Sequence, residues 1–275
     1  MTLTADQKPS LWGWRRYVSD LWGRKDFAVF LIQGNLTARN SSTALGLMWW
    51  ILNPLLSAAV YYVVFGLILE GHRAQDFFLT YLVVGVFAFQ YTTASMNGGA
   101  NLIQQNSRLL VNVRFPRLIL PIAAVAESLA GFLTSLVAVF AVVLIQGAPI
   151  SAKILWLPVV IVIQTIFVLG LSALTARWVV PIRDLGNLIP HITRFWFYLT
   201  PIIWGLSFLE GKPQWVVTLI ELNPMYAIVQ LYRVAFMDFP FVMQDLVTAV
   251  TWAFAICILG IASFTRSEGT MVRHL

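Results

Sequence analysis

"LILPIAAVAESLAGFLTSLVAVFAVVLI", Leu118–Ile145, holds a single ionisable residue, Glu127, in 28 positions. As a helix it would extend about 42 Å, more than the roughly 30 Å of hydrocarbon in a bilayer. Comparable runs recur at Ala44–Leu69, Phe77–Met96, Ile154–Ala176, Leu185–Leu206 and Leu246–Phe264. A membrane β-barrel would instead show roughly ten-residue alternating strands, and none is visible. The predicted fold class is therefore all-α, a polytopic membrane protein with six transmembrane helices. Composition agrees, since 59% of the 275 residues are hydrophobic and 11% charged, against about 25% charged in soluble domains.

Lysine and arginine near the span ends set the orientation. Lys8, Arg15, Arg16, Arg24, Lys25 and Arg39 precede the first span, and Arg108, Arg114, Arg117, Arg177, Arg183, Arg266 and Arg273 fall on the same side. Only Arg73, Lys153, Lys212 and Arg233 fall opposite. Both termini are thus expected in the cytoplasm. Because the net charge of +6 sits beside apolar runs, it points to membrane lipid rather than nucleic acid. The single cysteine, Cys257, rules out an internal disulfide framework, and the polar, then amphipathic N-terminus predicts no cleavable signal.

Three segments outside the spans stand out. In residues 1–43, Trp14, Tyr17, Val18, Leu21 and Trp22 share one helical face opposite Arg15 and Arg16. That pattern predicts an amphipathic helix in the headgroup plane, or one packed on a soluble partner. "NSRLLVNVRFPR" (Asn106–Arg117), just before the quoted span, predicts a compact basic helix over 106–116, stopped by Pro116. In residues 215–236, two apolar stretches too short to span flank Asn223-Pro224, a helix-starting pair. They predict a re-entrant helical hairpin, or two surface helices on the outer face. Residues 44–264 then form the transmembrane domain and 265–275 a cytoplasmic tail.

The segments "ARNSSTALGLMWWILNPLL" (Ala38–Leu56), "VNVRFPRLILPIA" (Val111–Ala123), "VPIRDLGNLIPHITRFWFYLTPIIW" (Val180–Trp204) and "LNPMYAIVQLYRVAF" (Leu222–Phe236) together resemble the permeases of polysaccharide-exporting ABC transporters of the ABC-2 type. That family exports O-antigen, capsule, teichoic acid or galactan. The resemblance implies a homodimer in the bacterial cytoplasmic (inner) membrane, joined by two copies of a cytoplasmic P-loop ATPase, with a channel for a lipid-linked polysaccharide. It makes 106–116 the coupling helix that docks on the ATPase through Arg108, Leu109, Leu110, Val113, Arg114 and Phe115. No G-x-x-x-x-G-K-[ST] loop occurs in the sequence. ATP and magnesium are accordingly expected on the partner, with no cofactor, metal or catalytic residue on this chain.

Flat aromatic rings can hold sugar C–H faces while letting a polymer slide. Trp49, Tyr61, Phe65, Phe87, Tyr91, Trp196 and Tyr198 are the candidate channel aromatics, although such rings also gather at bilayer interfaces. Glu127 and Arg194 each lie nine residues into a predicted span, about 13–14 Å deep, and intramembrane charges are functional candidates. They pair within or across subunits, or Arg194 meets a carrier pyrophosphate, or Arg194 snorkels. Arg15, Arg16, Arg39, Arg183 and Asp184 are candidates at the inner interface or gate. His72, His191 and His274 are scattered and form no catalytic pattern. Competing readings are an ABC-2 permease for a drug or lipid, an integral-membrane glycosyl- or acyltransferase, and a secondary transporter.

Overall fold

The computed structural model describes residues 11–41, 45–68, 76–113, 115–182 and 184–271, with no side chain described at 11–16, 38–41, 47, 108, 111, 206–207 and 269–271. Arg114 and Arg183, and the side chains of Arg15, Arg16, Arg39 and Arg108, therefore lie outside the described residues, as do Lys8, His72, Arg73, Arg273 and His274. The described residues are helical, without strands: α1 (Leu11–Gly23), α2 (Lys25–Ser41), α3 (Trp49–Tyr61), α4 (Phe78–Gln105), α5 (Ser107–Asn112), α6 (Ile119–Gln146), α7 (Leu157–Val179), α8 (Leu185–Leu199), α9 (Gln214–Glu221), α10 (Pro224–Met237) and α11 (Met243–Met271). This is the all-α polytopic membrane architecture that the apolar runs predict.

Among the described residues, five stretches are long and apolar enough to cross a bilayer: Trp49–Ile68, Phe78–Gln105, Ile119–Gln146, Ala152–Val179 and Met243–Glu268. The first combines α3 with a π-helical extension, Tyr62–Ile68. Helix α4 runs nine residues past the predicted end at Met96 and forms the axis of the bundle. Its buried residues extend from Phe78 to Ile103, and α3, α6, α7, α8 and α10 all pack on it. The outer faces of α3 and α11 stay exposed in the single chain, with Val60, Leu67, Ile258 and Leu259 among the exposed apolar residues.

The predicted span 185–206 is corrected. Only Leu185–Leu199 is helical, about 22 Å of rise, and Thr200 turns extended (φ −90°, ψ 133°). Pro201 supplies the reason: a proline pushes the preceding residue out of the helical region. The non-helical backbone that follows is buried at Pro201, Ile202 and Ile203. Irregular backbone at membrane depth must have its polar groups answered inside the protein. Here the Tyr81 hydroxyl reaches the carbonyls of Pro201 (3.2 Å) and Trp204 (3.0 Å), and Arg233 Nη2 donates to Pro201 O at 2.7 Å.

Arg233, counted from sequence among the few cations on the side opposite the termini, is 0% exposed. Its helix, α10, is buried at every residue from Met225 to Met237, so this is the deep arm of the 215–236 segment, while α9 has no buried residue. Asn223 caps α10, its side chain accepting from Met225 N, with Pro224 at the first helical position. The same Asn223 accepts from Trp196 Nε1 (2.9 Å) and donates to Thr200 Oγ1 (3.0 Å). One carboxamide thus fastens the start of α10 to the broken end of α8.

Candidate functional site

A groove of about 840 Å³ opens along α4 and is walled by α2, α3, α6 and α8. Gln90, Thr93, Asn97, Asn101 and Gln105 of α4 all line it. Their spacing of three, then four, four and four residues puts them on one helical face, a stripe about 22 Å long. Asn35 of α2, Ser57 of α3, Ser128 of α6 and Thr193 of α8 face the same space. Carboxamides and hydroxyls both donate and accept, so the wall offers many neutral hydrogen-bonding groups and few charges. An apolar passenger would leave those groups unanswered, at a cost; a hydroxyl-rich one would satisfy them.

The groove brings Glu127 and Arg194 into one space. Glu127 Oε1 accepts from Asn35 Nδ2 at 2.6 Å, an anchor of α2 on α6. Arg194 is exposed in the single chain. At another part of the wall, Tyr61 stacks on Phe197 (5.2 Å, 26°), and Phe89 meets Phe197 edge-on (5.3 Å, 77°); all three rings line the groove.

Of the predicted channel aromatics, then, Tyr61 is in the groove and six are elsewhere. Trp49, Phe87 and Tyr91 border a smaller cavity of about 130 Å³ that shares Gln90, Ala94, Glu127 and Ser128 with the large one. Phe87 and Tyr91 are each 2% exposed, and Tyr91 stacks on Phe132 at 5.0 Å. Trp196 sits against Phe89 and Phe167 and is spent on Asn223. Phe65 is half-buried against the core, and Tyr198 is exposed on α8. Rings are large enough to be drawn into helix contacts, which is where most of these went. The amide stripe was the missed feature, and its signal, polar residues at helical spacing inside an apolar run, was present in the sequence.

On the side of the arginine-rich segments, α5 spans Ser107–Asn112 and Val113 is extended. Leu110 is buried, Leu109 and Phe115 pack against the same cluster, and Phe115 meets Phe27 of α2 at 5.1 Å. Asn112 and Val113 point outward. Just past Pro116, the Arg117 backbone N–H donates to Glu268 Oε1 and its guanidinium to the Glu268 carbonyl. Tyr17 of α1 donates to Glu268 Oε1 at 3.3 Å. Burial first, and the Glu268 carboxylate next, push the Tyr17 phenol well above its ordinary value. Three chain segments meet at this node, and none of its pairings is visible in sequence. Asp184 is exposed at the start of α8.

A helical bundle with a polar groove, a short helix before the third span and a buried helix before the last is the layout of a membrane transporter. Residues 28–237 match the ABC-2 type transporter family, and the chain belongs to that family. It is 29% identical over 223 residues to the O-antigen export system permease protein RfbA of Myxococcus xanthus, covering 81% of this chain and 85% of that protein. It is 26% identical over 242 residues to the RfbA permease of Klebsiella pneumoniae, covering 88% and 92%. A second Klebsiella pneumoniae RfbA permease is 26% identical over 214 residues, 78% of this chain and 81% of its own length.

Proposed function

We propose that this chain is the membrane-spanning half of an ATP-driven exporter for a lipid-linked polysaccharide of O-antigen type. It works as a homodimer with two copies of a cytoplasmic P-loop ATPase, in the bacterial cytoplasmic membrane with both termini inside. The observation that carries the substrate class is the amide-and-hydroxyl wall of the groove. A glycan presents hydroxyls at every ring, and neutral partners at roughly one-turn intervals can exchange with them without trapping the chain. The names of the relatives support the same cargo. The coupling segment 106–116 would carry ATPase closure to α6, which begins at Ile119, three residues after Pro116.

The test is ATP-dependent uptake of a lipid-linked glycan into inside-out proteoliposomes holding the permease and its ATPase. Replacing Gln90, Asn97 and Asn101 together by leucine should lower uptake at least tenfold while the complex still assembles. No ATP-dependent glycan uptake by the wild-type complex, with ATP-dependent uptake of an apolar dye, would overturn the cargo in favour of a drug or lipid permease, and unchanged glycan uptake in the triple variant would overturn the role of the wall.

A further inference from the structure

A second groove, of about 410 Å³, lies between the ends of α7 and α11 and is lined by Arg177, Leu259, Ala262, Ser263, Arg266 and Ser267. Along α11 these residues fall at i, i+3, i+4, i+7 and i+8, one face of a helix. The face is graded. Leu259, 59% exposed, lies toward the middle of the span; Ser263 follows one turn on, and Arg266 one turn beyond that. Arg177, at the last turn of α7, completes the cationic end beside Trp178, an exposed ring of the kind that marks the headgroup level.

No acidic residue lines this groove. Glu268, on the same helix, stands two residues from Arg266, about 200° round it, where Tyr17 and Arg117 hold it. Among the described residues, neither Arg177 nor Arg266 has an ion-pair or hydrogen-bond partner. Two like charges facing one space repel each other unless an anion stands between them. The groove is also continuous with the apolar face below it, so the fitting anion carries a hydrocarbon tail.

We infer that this groove holds an anionic phospholipid of the cytoplasmic leaflet, its phosphate between Arg177 and Arg266 and an acyl chain over Leu259. The inference rests on the proposed function only for the side of the membrane. A lipid seated there braces α7 against α11 at the end where Glu268 ties α11 to α6.

The test is native mass spectrometry of the full permease–ATPase complex in detergent micelles doped with equal phosphatidylglycerol and phosphatidylcholine. Wild-type protein should retain phosphatidylglycerol in preference. Each cation near an anionic lipid contributes roughly a fivefold factor. Arg177→Gln and Arg266→Gln should therefore each lower the preference about fivefold, and together about twenty-five-fold. The paired lysine variants should keep most of it, and Lys153→Gln, at the far end of the bundle, should change nothing. An unaltered preference in the double glutamine variant, or no preference in wild type, overturns the site. Nothing in this readout depends on export, so a wrong cargo leaves it intact. Sidedness is read separately, by impermeant maleimide on Arg266→Cys in a Cys257→Ser background in intact cells.

Discussion

A guanidinium sealed from water without a carboxylate stays in place only while its donors and its charge are answered by other means. Arg233 has its charge answered by the Tyr81 ring, 3.3 Å from the guanidinium carbon to the centroid, and its two terminal nitrogens by Pro201 O and Gln230 Oε1, while Nε has no partner among the described residues. Arg233→Ala would strip Pro201 O of its charged donor and open a void beside Tyr81, costing about 2–4 kcal/mol. Tyr81→Phe removes only a hydroxyl and should cost about 1 kcal/mol. Thermal unfolding in detergent ranks the two, and equal midpoints for Arg233→Ala and wild type would contradict the latch. Asp238, outside the spans, behaves differently. Lys153 and Ser151 hydrogen-bond its carboxylate and hold it below its ordinary value. A lowered folded value means the contribution is present above the ordinary carboxylate range and is lost as pH falls through the depressed value. Asp238→Asn tolerates the same left-handed backbone (φ 55°), so it isolates the charge. Its unfolding midpoint should sit slightly below wild type at neutral pH and converge with it in acid; a gap that persists in acid would contradict this.

Helices α7 and α11 approach so closely that side chains are excluded at their crossing. A Cβ on Gly170 would overlap the backbone of Ile256 and Cys257, and one on Gly260 would overlap Gly170 itself. Small residues permit such approach between membrane helices. Gly260→Val should destabilise by about 1–3 kcal/mol and lower the yield of folded chain by size-exclusion profile, whereas Gly34→Val, with open space around it, should not. The node of Tyr17, Arg117 and Glu268 works at the same scale, joining the exit of the proposed coupling segment to the last helix. Glu268→Gln should leave ATP hydrolysis running in the complex while glycan uptake falls several-fold; parallel losses of both would place the node in folding instead of transmission. Helix existence was legible here because apolar runs of span length have one explanation. The end of α8 was legible too, in Pro201, had its effect on Thr200 been weighed above hydropathy. The node was not, since its members stand 251 residues apart and periodicity reports only neighbours within a few turns.

For the whole molecule, the all-α polytopic membrane fold followed from residue patterns and the ABC-2 family from the resemblance of its segments, but the character of the groove did not. Counting rings favoured an aromatic corridor, while helix packing buried Phe87 and Tyr91 and left Gln90, Thr93, Asn97, Asn101 and Gln105 on the open face. The burial of Arg233 was not legible for a related reason: its partners Tyr81 and Pro201 stand far from it in sequence. The groove lies beside exposed faces of α3 and α8, where a second copy would close it into a channel under the proposed homodimer. The direct measurement is site-specific photo-crosslinking during ATP-driven export, with a benzophenone side chain at Asn97 or, for comparison, at Val137, 68% exposed on α6. Passage along the stripe predicts that Asn97 captures the labelled glycan in an ATP-dependent manner and that Val137 captures lipid alone. Glycan captured equally at both positions, or at Val137 only, would contradict it.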